Sequence, residues 1–429
     1  MSPAEESKPS RGLLGRYRAI IGQGAWVFVG QVSTGILTLA GTRLITQFVN
    51  PELYGLVNLV QNALVLLRTL FCSPTINAGL RYYPDAERGH FVSGLRAAMR
   101  RSLGMSLIAM EIIAVGGGLI WTWQNGAPAA LVAWLALFVV ADVSRTFELS
   151  LFNAARRQRP AAILGAAETL IRPVLVVGAV LAFGPRIEVV FAALALSIVL
   201  TLVVLFTGFR LAGGDVGGNL PPQVALDMRR YAIPLVPIAF MTWVTSVSDR
   251  YLIEWLSHDT ASVGVYAAGY GLVSQPFLLL HGVVALTLRP AYFAAVSRAD
   301  GTQAKRIFGT WLVLSALACS STAAVIFLAR NLIVAAFLGP QFHSAVAYVP
   351  WIALGYLFYV VEQVLEQHLL AHKRTLAVLL SQTCGAVASL GVTIPLVAKF
   401  GALGAAFACP VYFSIQCLVV AALLSRPRG

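Results

Sequence analysis

The protein has 429 residues, of which 58% are hydrophobic and only 11% are charged, and its formal net charge is +13. Because soluble proteins carry about 25% charged residues, this composition excludes a soluble multidomain protein and indicates one that crosses a membrane many times. The basic residues are too scattered to form a nucleic-acid-binding face, and the five cysteines have neither disulfide nor zinc-site spacing. We therefore expect no nucleic-acid partner, no metal site and no cofactor.

Twelve apolar segments are long enough to cross a bilayer as helices, because about 20 residues span a hydrocarbon core of roughly 30 Å. Their predicted limits are 20–48, 54–78, 101–122, 129–154, 160–184, 188–211, 232–256, 262–288, 306–329, 345–371, 375–398 and 402–424. A further apolar segment, at residues 331–343, is predicted to lie at the membrane interface without crossing it.

These spans predict an all-α integral membrane protein with two six-helix bundles. The predicted parts are a cytoplasmic tail (1–19), a first bundle (20–211), a cytoplasmic linker with a short amphipathic helix (212–231), a second bundle (232–425) and a cytoplasmic tail (426–429). The linker contains the sequence GGDVGGNLPP, and such a density of Gly and Pro indicates a flexible connection.

The distribution of Lys and Arg predicts the orientation of the chain. Nearly all basic residues outside the spans fall on one set of loops and on the two tails, whereas the opposite set holds only Arg186, Arg330 and Lys399. Because positively charged loops stay in the cytoplasm, we expect both termini to be cytoplasmic.

Three sequence landmarks occur in each half of the chain with nearly constant spacing. They are Arg43, Gly55 and Arg81 in the first half, and Arg250, Gly264 and Arg289 in the second, 207 to 209 residues later. Two halves of six spans enter the membrane in the same orientation, which predicts a parallel repeat. Transporters with this construction bind substrates near the midplane and alternate access between the two sides.

Polar side chains follow one face of the first two helices in each half. They are Gln31, Thr34, Thr38 and Thr42 in span 1, Asn58, Gln61, Asn62, Arg68 and Thr69 in span 2, Thr242, Thr245, Ser246 and Asp249 in span 7, and Tyr266, Tyr270, Ser274 and His281 in span 8. Because polar groups in a bilayer must face protein or water, we predict that the four faces line one central cavity. The alternative is that Ser and Thr only join neighbouring helices.

Several charged residues within the spans have partners at helical spacing. Glu168 and Arg172 are four residues apart on span 5 and are predicted to form a structural ion pair. On span 4, Asp142, Arg145 and Glu148 are spaced by three residues. We predict that these three neutralise one another, either as a structural element or as a gate latch.

Three arginines within the spans have no such partner. Arg43 and Arg68 have no acidic residue three or four positions away, and Arg250 adjoins Asp249 at an angle that predicts poor pairing. Arg68 lies deep in span 2 and is predicted to contact the substrate, with a cross-helix salt bridge as the alternative. Arg43 and Arg250 lie near outer ends, where a guanidinium can instead reach the interface. Because guanidinium groups match phosphate oxygens, an anionic, phosphate-bearing substrate is predicted.

Acidic residues within the spans are candidates for ion coupling. Glu362 and Glu366 are one turn apart on span 10, beside His368 and without a base at helical spacing. Two carboxylates so close in a low dielectric favour binding of a proton or Na⁺, although a cross-helix partner such as Arg145 or Arg172 is an alternative. Glu111, which is alone on span 3, and Asp249 are further candidates for coupling or gating.

Two segments resemble a known family. The opening GQGAWVFVGQVSTGILTLAGTRLITQFVNPELYGLVNLVQ is similar to the start of Wzx-type polysaccharide flippases, where a Gly- and Trp-containing helix ends in Arg before a P-x-x-Y-G turn. The segment YAIPLVPIAFMTWVTSVSDRYLIEWLSHDTASVGVYAAGYGL resembles that family's seventh and eighth helices, with S-x-x-D-R-Y and V-G-x-Y segments. The likeness covers nearly the whole chain.

The resemblance implies the multidrug/oligosaccharidyl-lipid/polysaccharide exporter fold, with two bundles in a V around a central cavity. It further implies that a polyprenyl-pyrophosphate-linked oligosaccharide moves from the inner to the outer leaflet of a bacterial inner membrane, for O-antigen, lipopolysaccharide or exopolysaccharide biosynthesis. Expected partners are this lipid-linked oligosaccharide, membrane lipids, and the polysaccharide polymerase and chain-length machinery.

On this basis we predict a set of site residues. The substrate-binding set is Arg68, Arg43, Arg250, Asn58, Gln61, Asn62, Tyr266 and Tyr270, with the tyrosines stacking on sugar, and the coupling or gating set is Glu362, Glu366, Asp249 and Glu111. The alternative function is an ion-coupled drug antiporter of the same fold. An enzyme is not expected, because no predicted outer loop is large enough to hold a catalytic domain.

Overall fold

The computed structural model describes residues 13–126, 128–155, 157–208 and 220–425, with side chains from residue 28 onward except at 125 and 158. Within these ranges the chain is helical and contains no β-strand. Residues 1–12 and 426–429 of the predicted tails, and residues 212–219 of the predicted linker, lie outside the described residues.

The first half consists of seven helices. They are α1 (Leu13–Phe48), α2 (Pro51–Phe71), α3 (Ser73–Arg88), α4 (Val92–Asn125), α5 (Ala130–Ala154), α6 (Gln158–Phe183) and α7 (Ile187–Gly208). We call α1–α7 the first bundle.

The second half begins with α8, which is the short helix predicted in the linker. The helices are α8 (Pro222–Ala232), α9 (Leu235–Ser257), α10 (Thr260–Ser297), α11 (Gly301–Phe337), α12 (Val349–Ala371), α13 (Thr375–Phe400) and α14 (Ala402–Ser425), with a 3-10 helix (Pro340–Ala347) before α12. We call α9–α14 the second bundle.

The helices match the predicted spans approximately. Among the described residues, ten helical segments are long and apolar enough to cross a membrane, and eleven if the 3-10 helix and α12, which meet at 60°, form one broken span. Helix α1, which corresponds to the first predicted span, is not among these segments.

Several predicted boundaries differ from the structure; for example, α4 begins at Val92 and not at residue 101, and α10 continues to Ser297 and not only to residue 288. Helix α1 has already begun at Leu13, before the predicted start at residue 20. The second span is interrupted at Cys72, because the following Pro74 cannot continue the hydrogen-bond ladder of α2. Residues 331–337, predicted to lie at the interface, instead continue α11, and this helix ends only where Gly339 and Pro340 follow.

Helices α2 and α10, which are the second helix of each bundle, begin in the same way. The Asn50 side chain accepts a hydrogen bond from the Leu53 N–H at 2.9 Å, and the Asp259 side chain accepts one from the Ser262 N–H at 3.1 Å. Such N-caps satisfy N–H groups that have no partner within the helix. The hydrogen bonds from Ser262 also lower the pKa of the Asp259 carboxyl. Equivalent caps at equivalent positions agree with the predicted repeat.

The two bundles come closest where α2 crosses α10. A Cβ atom at Gly55 would overlap the Thr260 carbonyl oxygen, and a Cβ atom at Gly264 would overlap the Pro51 carbonyl oxygen. Two of the predicted repeat landmarks are therefore glycines because the backbones of two helices touch there. We call this crossing, at residues 51–55 and 260–264 on the predicted outer side, the outer seam.

Contacts beside the outer seam join α1 and α2 to the 3-10 helix region. The Arg43 guanidinium donates to the Leu338 carbonyl oxygen, and the Gly339 N–H donates to the Thr46 hydroxyl at 2.9 Å. The rings of Tyr54 and Phe342 meet edge to face, with centroids 5.5 Å apart. The predicted outer ends of the two bundles are thus held by backbone contacts, hydrogen bonds and aromatic packing.

Replacing Gly264 by Ala tests the outer seam. A methyl group at this position must push α2 and α10 apart, so we expect the variant to lose about 1–3 kcal/mol of unfolding free energy. Gly271→Ala is the matched control, because the same substitution on the same helix meets no atom within 4 Å and should stabilise the helix by about 1 kcal/mol. Thermal unfolding in detergent measures both. Equal melting temperatures for the two variants would show that the close approach is not required.

Candidate functional site

The polar faces of α1 and α2 line a cavity inside the first bundle. Thr38 and Thr42 of α1 and Asn58 and Gln61 of α2 form part of its wall, and α6 and α7 form the rest. The cavity has a volume of about 220 Å³, which is room for several water molecules or one small anion.

The polar faces of α9 and α10 turn into the second bundle instead. The Thr242 hydroxyl of α9 lies 3.2 Å from the Gln382 side-chain oxygen of α13, and Tyr266, Tyr270 and Ser274 of α10 are buried. The prediction that all four faces line one central cavity is therefore wrong for this arrangement. The α1 face itself is divided, because Gln31 and Thr34 line a second cavity together with α6 and with Gln275 of α10.

Arg68 has a partner on another helix. Its Nη1 atom lies 2.8 Å from Asp142 Oδ2 and 3.0 Å from the Thr146 hydroxyl, both on α5. The interpretation of Arg68 as an unpaired charge is thus wrong, and the alternative, a cross-helix salt bridge, is what the structure contains.

This salt bridge is one end of a longer series. Asp142 also accepts a hydrogen bond from Arg145 at 2.7 Å, and Arg145 reaches Glu168 of α6 at 2.8 Å. Glu168 is bound in turn by Arg172, as predicted from their spacing. We call Arg68, Asp142, Arg145, Glu168 and Arg172 the ion-pair chain.

Glu148 does not belong to the ion-pair chain. Its carboxylate lies 3.2 Å from Arg100 of α4, so the predicted grouping with Asp142 and Arg145 is wrong for this residue. An arginine of a neighbouring helix is a better partner here than one on the preceding turn, because Arg145 already binds two carboxylates.

The ion-pair chain is not electrically neutral. It contains three guanidinium groups and two carboxylates, so with all groups ionised it has one positive charge in excess. A net charge within a bilayer is costly unless a counterion or water compensates it. The ion-pair chain therefore gives the part of the first bundle between α2, α5 and α6 a surplus positive charge.

Arg250 is buried and does not reach the interface. Its side chain is 9% exposed, and its Nη1 atom lies 3.1 Å from Asp249 Oδ1, to which the Arg250 N–H also donates at 2.8 Å. The prediction that these neighbours pair poorly is wrong, because Asp249 Oδ1 accepts from both the backbone N–H and the guanidinium of Arg250. The guanidinium carbon also lies 4.4 Å from the centre of the Tyr270 ring.

The two predicted sugar-stacking tyrosines form part of the second hydrophobic core. Tyr266 donates to Asp249 Oδ2 at 2.5 Å, and the Tyr270 ring packs against Tyr356 with centroids 5.4 Å apart. Both rings are buried, so in this arrangement neither presents a face to a sugar. Asn62, another predicted contact, donates to Asn58, and its carbonyl oxygen accepts from Trp243 across the bundles.

Glu362 and Glu366 form an acidic pair inside the second bundle. Glu362 is fully buried and accepts hydrogen bonds from Gln363 at 2.9 Å and Gln416 at 3.4 Å. Glu366 accepts one from Gln382 at 2.7 Å and lies one helical turn from Glu362 on α12.

The predicted cross-helix partners of this acidic pair are engaged elsewhere. Arg145 and Arg172 lie in the first bundle, bound to Asp142 and Glu168. The acidic pair is surrounded instead by glutamines from α12, α13 and α14, which the sequence did not single out. A glutamine in an otherwise apolar span is itself the signal that could have identified Gln382 and Gln416.

The surroundings of Glu111 on α4 keep it a candidate for ion coupling or gating. Among the described residues its Oε1 atom is buried without a hydrogen-bond partner. Within the same part of the chain, no group of three His, Cys, Asp or Glu side chains is placed to hold a metal ion.

The sequence profile of the polysaccharide biosynthesis protein family matches residues 21–296 of the chain. This match covers more than half of the sequence. The chain belongs to this family. No curated protein sequence matches the chain, so the family assignment rests on the profile.

Solved structures show which fold the family member adopts. The lipid II flippase MurJ, in an inward-closed conformation, superposes with a TM-score of 0.72 at 13% identity, over 93% of this chain and 87% of that one. A MOP superfamily transporter from Pyrococcus furiosus superposes with a TM-score of 0.69 at 13% identity, over 98% of this chain and 100% of that one. An inward-facing multidrug transporter of the MATE family superposes with a TM-score of 0.65 at 12% identity, over 95% of this chain and 96% of that one. The protein therefore has the membrane-transporter fold of the MOP superfamily.

Substitutions at Glu168 and Arg172 test the ion-pair chain. Glu168→Gln leaves both Arg145 and Arg172 without this carboxylate and should cost about 3–5 kcal/mol, whereas after Arg172→Gln the Glu168 carboxylate still binds Arg145. We therefore expect Glu168→Gln to lower the melting temperature in detergent far more than Arg172→Gln.

Glu188→Gln is the control for this comparison. Glu188 lies 3.5 Å from Arg186, whose side chain is 60% exposed, and such a pair contributes at most about 1 kcal/mol. Equal destabilisation by Glu168→Gln and Glu188→Gln would contradict a structural role for the ion-pair chain.

Proposed function

We propose that the protein moves a polyprenyl-pyrophosphate-linked oligosaccharide from the inner to the outer leaflet of a bacterial inner membrane, for O-antigen, lipopolysaccharide or exopolysaccharide biosynthesis. The observation that carries the proposal is the excess positive charge of the ion-pair chain within the first bundle. An anionic pyrophosphate group compensates this charge, while the lipid tail stays in the bilayer. Membership of the polysaccharide biosynthesis protein family supports the sugar part of the substrate.

The outer seam supports alternating access as the mechanism. Within the seam itself, residues 51–55 and 260–264, no ion pair is formed, and the backbones meet by van der Waals contact at two glycines. Next to it, the Tyr251 hydroxyl donates to the Leu59 carbonyl oxygen at 2.7 Å. Such contacts break at modest cost, because no ion pair of the seam is separated when the bundles part; beside the seam, Arg43 must also exchange its hydrogen bond to the Leu338 carbonyl oxygen.

We further propose that the acidic pair Glu362–Glu366 couples movement to a proton or Na⁺. Its support is a carboxyl pair inside the second bundle whose hydrogen-bond partners are neutral amides. Binding of one cation there would cancel one of the two negative charges and so relieve their repulsion, since two carboxylates one helical turn apart repel each other. Asp249 is a weaker candidate, because Arg250 already neutralises it.

An ion-coupled drug antiporter is the second candidate function. The acidic pair favours it, because cationic drugs and coupling ions both require carboxylates. The two functions differ in the charge of the cargo, which an anionic lipid and a cationic dye distinguish.

The proposed function is tested in vesicles that contain the purified protein. A polyprenyl-pyrophosphate-linked oligosaccharide with a fluorescent sugar is placed in both leaflets, and a membrane-impermeant quencher then reports the fraction in the outer leaflet. We expect the protein to accelerate exchange between leaflets relative to protein-free vesicles, and to leave a cationic dye unmoved. Transport of the dye without exchange of the lipid would favour the antiporter.

The coupling proposal is tested with the double variant Glu362→Gln and Glu366→Gln. We expect a proton or Na⁺ gradient to change the flipping rate of the wild type and to leave the rate of the double variant unaffected, because glutamine cannot bind either ion as a carboxylate does. Glu87→Gln, at an exposed carboxylate on α3, is the control and should keep the response. A double variant that still follows the gradient would remove the pair from coupling.

A further inference from the structure

The three arginines of the ion-pair chain differ in their exposure. The Arg172 side chain is 38% exposed, against 21% for Arg68 and 19% for Arg145. Of the three, only Arg172 lines the 220 Å³ cavity. The positive end of the chain that an incoming ligand can reach is therefore Arg172.

Arg172 is also the arginine with the fewest partners. Arg68 binds a carboxylate and a hydroxyl, and Arg145 binds two carboxylates. Arg172 binds only Glu168, and its buried Nε–H has no hydrogen-bond partner among the described residues. A guanidinium has five N–H donors, so Arg172 retains most of its capacity to donate.

An anion can bind Arg172 without leaving a carboxylate unpaired. Glu168 is shared between Arg145 and Arg172 through its two oxygens. If Arg172 turns toward a ligand, Glu168 keeps its bond to Arg145. The two carboxylates, Asp142 and Glu168, are then balanced by the two arginines that stay in place. The excess charge resides on the residue that faces the cavity.

The rest of the cavity wall favours an anion. Apart from Arg172, no charged residue lines it among the described residues, so no carboxylate repels an anionic group. The Gln61 amide, which makes no hydrogen bond to the described residues, and the Asn58 amide add neutral donors beside Arg172. Gly41 and Pro173, which also line the cavity, lie close together and contribute no charge.

We infer that this cavity is a phosphate-binding site of the first bundle, in which Arg172 holds the pyrophosphate group of the lipid carrier. The identity of the carrier rests on the proposed function, whereas binding of pyrophosphate at Arg172 does not. Arg172 matches two phosphate oxygens with parallel N–H groups, and Gln61 and Asn58 orient the group.

Titration calorimetry of the full chain in detergent, with inorganic pyrophosphate as the probe, tests this site. We expect Arg172→Gln to bind about ten- to hundredfold more weakly than the wild type, because a charged hydrogen-bonding partner is lost. Arg172→Lys should be intermediate, since it keeps the charge but not the paired N–H groups. Arg186→Gln, which removes an exposed arginine of the same bundle, is the control and should bind as the wild type does.

The possible outcomes test the binding site and the identity of its ligand separately. Wild-type affinity for pyrophosphate in an Arg172→Gln variant that is folded, as judged by its thermal unfolding, would overturn the inference. Displacement of pyrophosphate by a polyprenyl pyrophosphate but not by phosphatidylglycerol supports the carrier, whereas equal displacement by both would overturn that assignment. If Arg172 controls pyrophosphate binding but the protein does not flip the lipid-linked oligosaccharide, the proposed function fails and the site stands. If flipping occurs and Arg172→Gln changes nothing, the site alone fails.

Discussion

The high cost of an unpaired charge in a hydrocarbon environment governs the interior of this protein. It explains why Arg68 of α2, Asp142 and Arg145 of α5, and Glu168 and Arg172 of α6 lie in one connected series. Because each inner member binds two partners, the series ties three helices together. The surplus of one arginine leaves a cationic position that the protein itself does not neutralise.

The two bundles share a fold but differ in the charge of their interiors. The first bundle has the surplus arginine, whereas the second has an acidic pair held by glutamines and an Asp249–Arg250 pair that is neutral. This division underlies our proposal that an anionic cargo binds in one bundle and a coupling cation in the other. Under that proposal the two ligands do not compete for the same residues.

The outer seam is formed by equivalent residues of the two halves. Gly55 and Gly264 have equivalent places in the two halves, and each lets the other half's backbone approach. Caps at Asn50 and Asp259 start both helices immediately before the crossing. Because the starts of α2 and α10 form this contact together, a rotation of one half relative to the other can open or close it in a single movement.

The sequence by itself determined the membrane location, approximately twelve spans, the two-half organisation and which residues within the spans are charged. It could do so because hydropathy and helical spacing are properties of neighbouring residues. Only the tertiary structure decided the partners: Arg68 meets Asp142, Glu148 meets Arg100, and the tyrosines of α10 turn into a core. Spacing along a chain identifies partners on the same helix, but a charge in the membrane pairs with whichever helix packs beside it, and that depends on the whole fold.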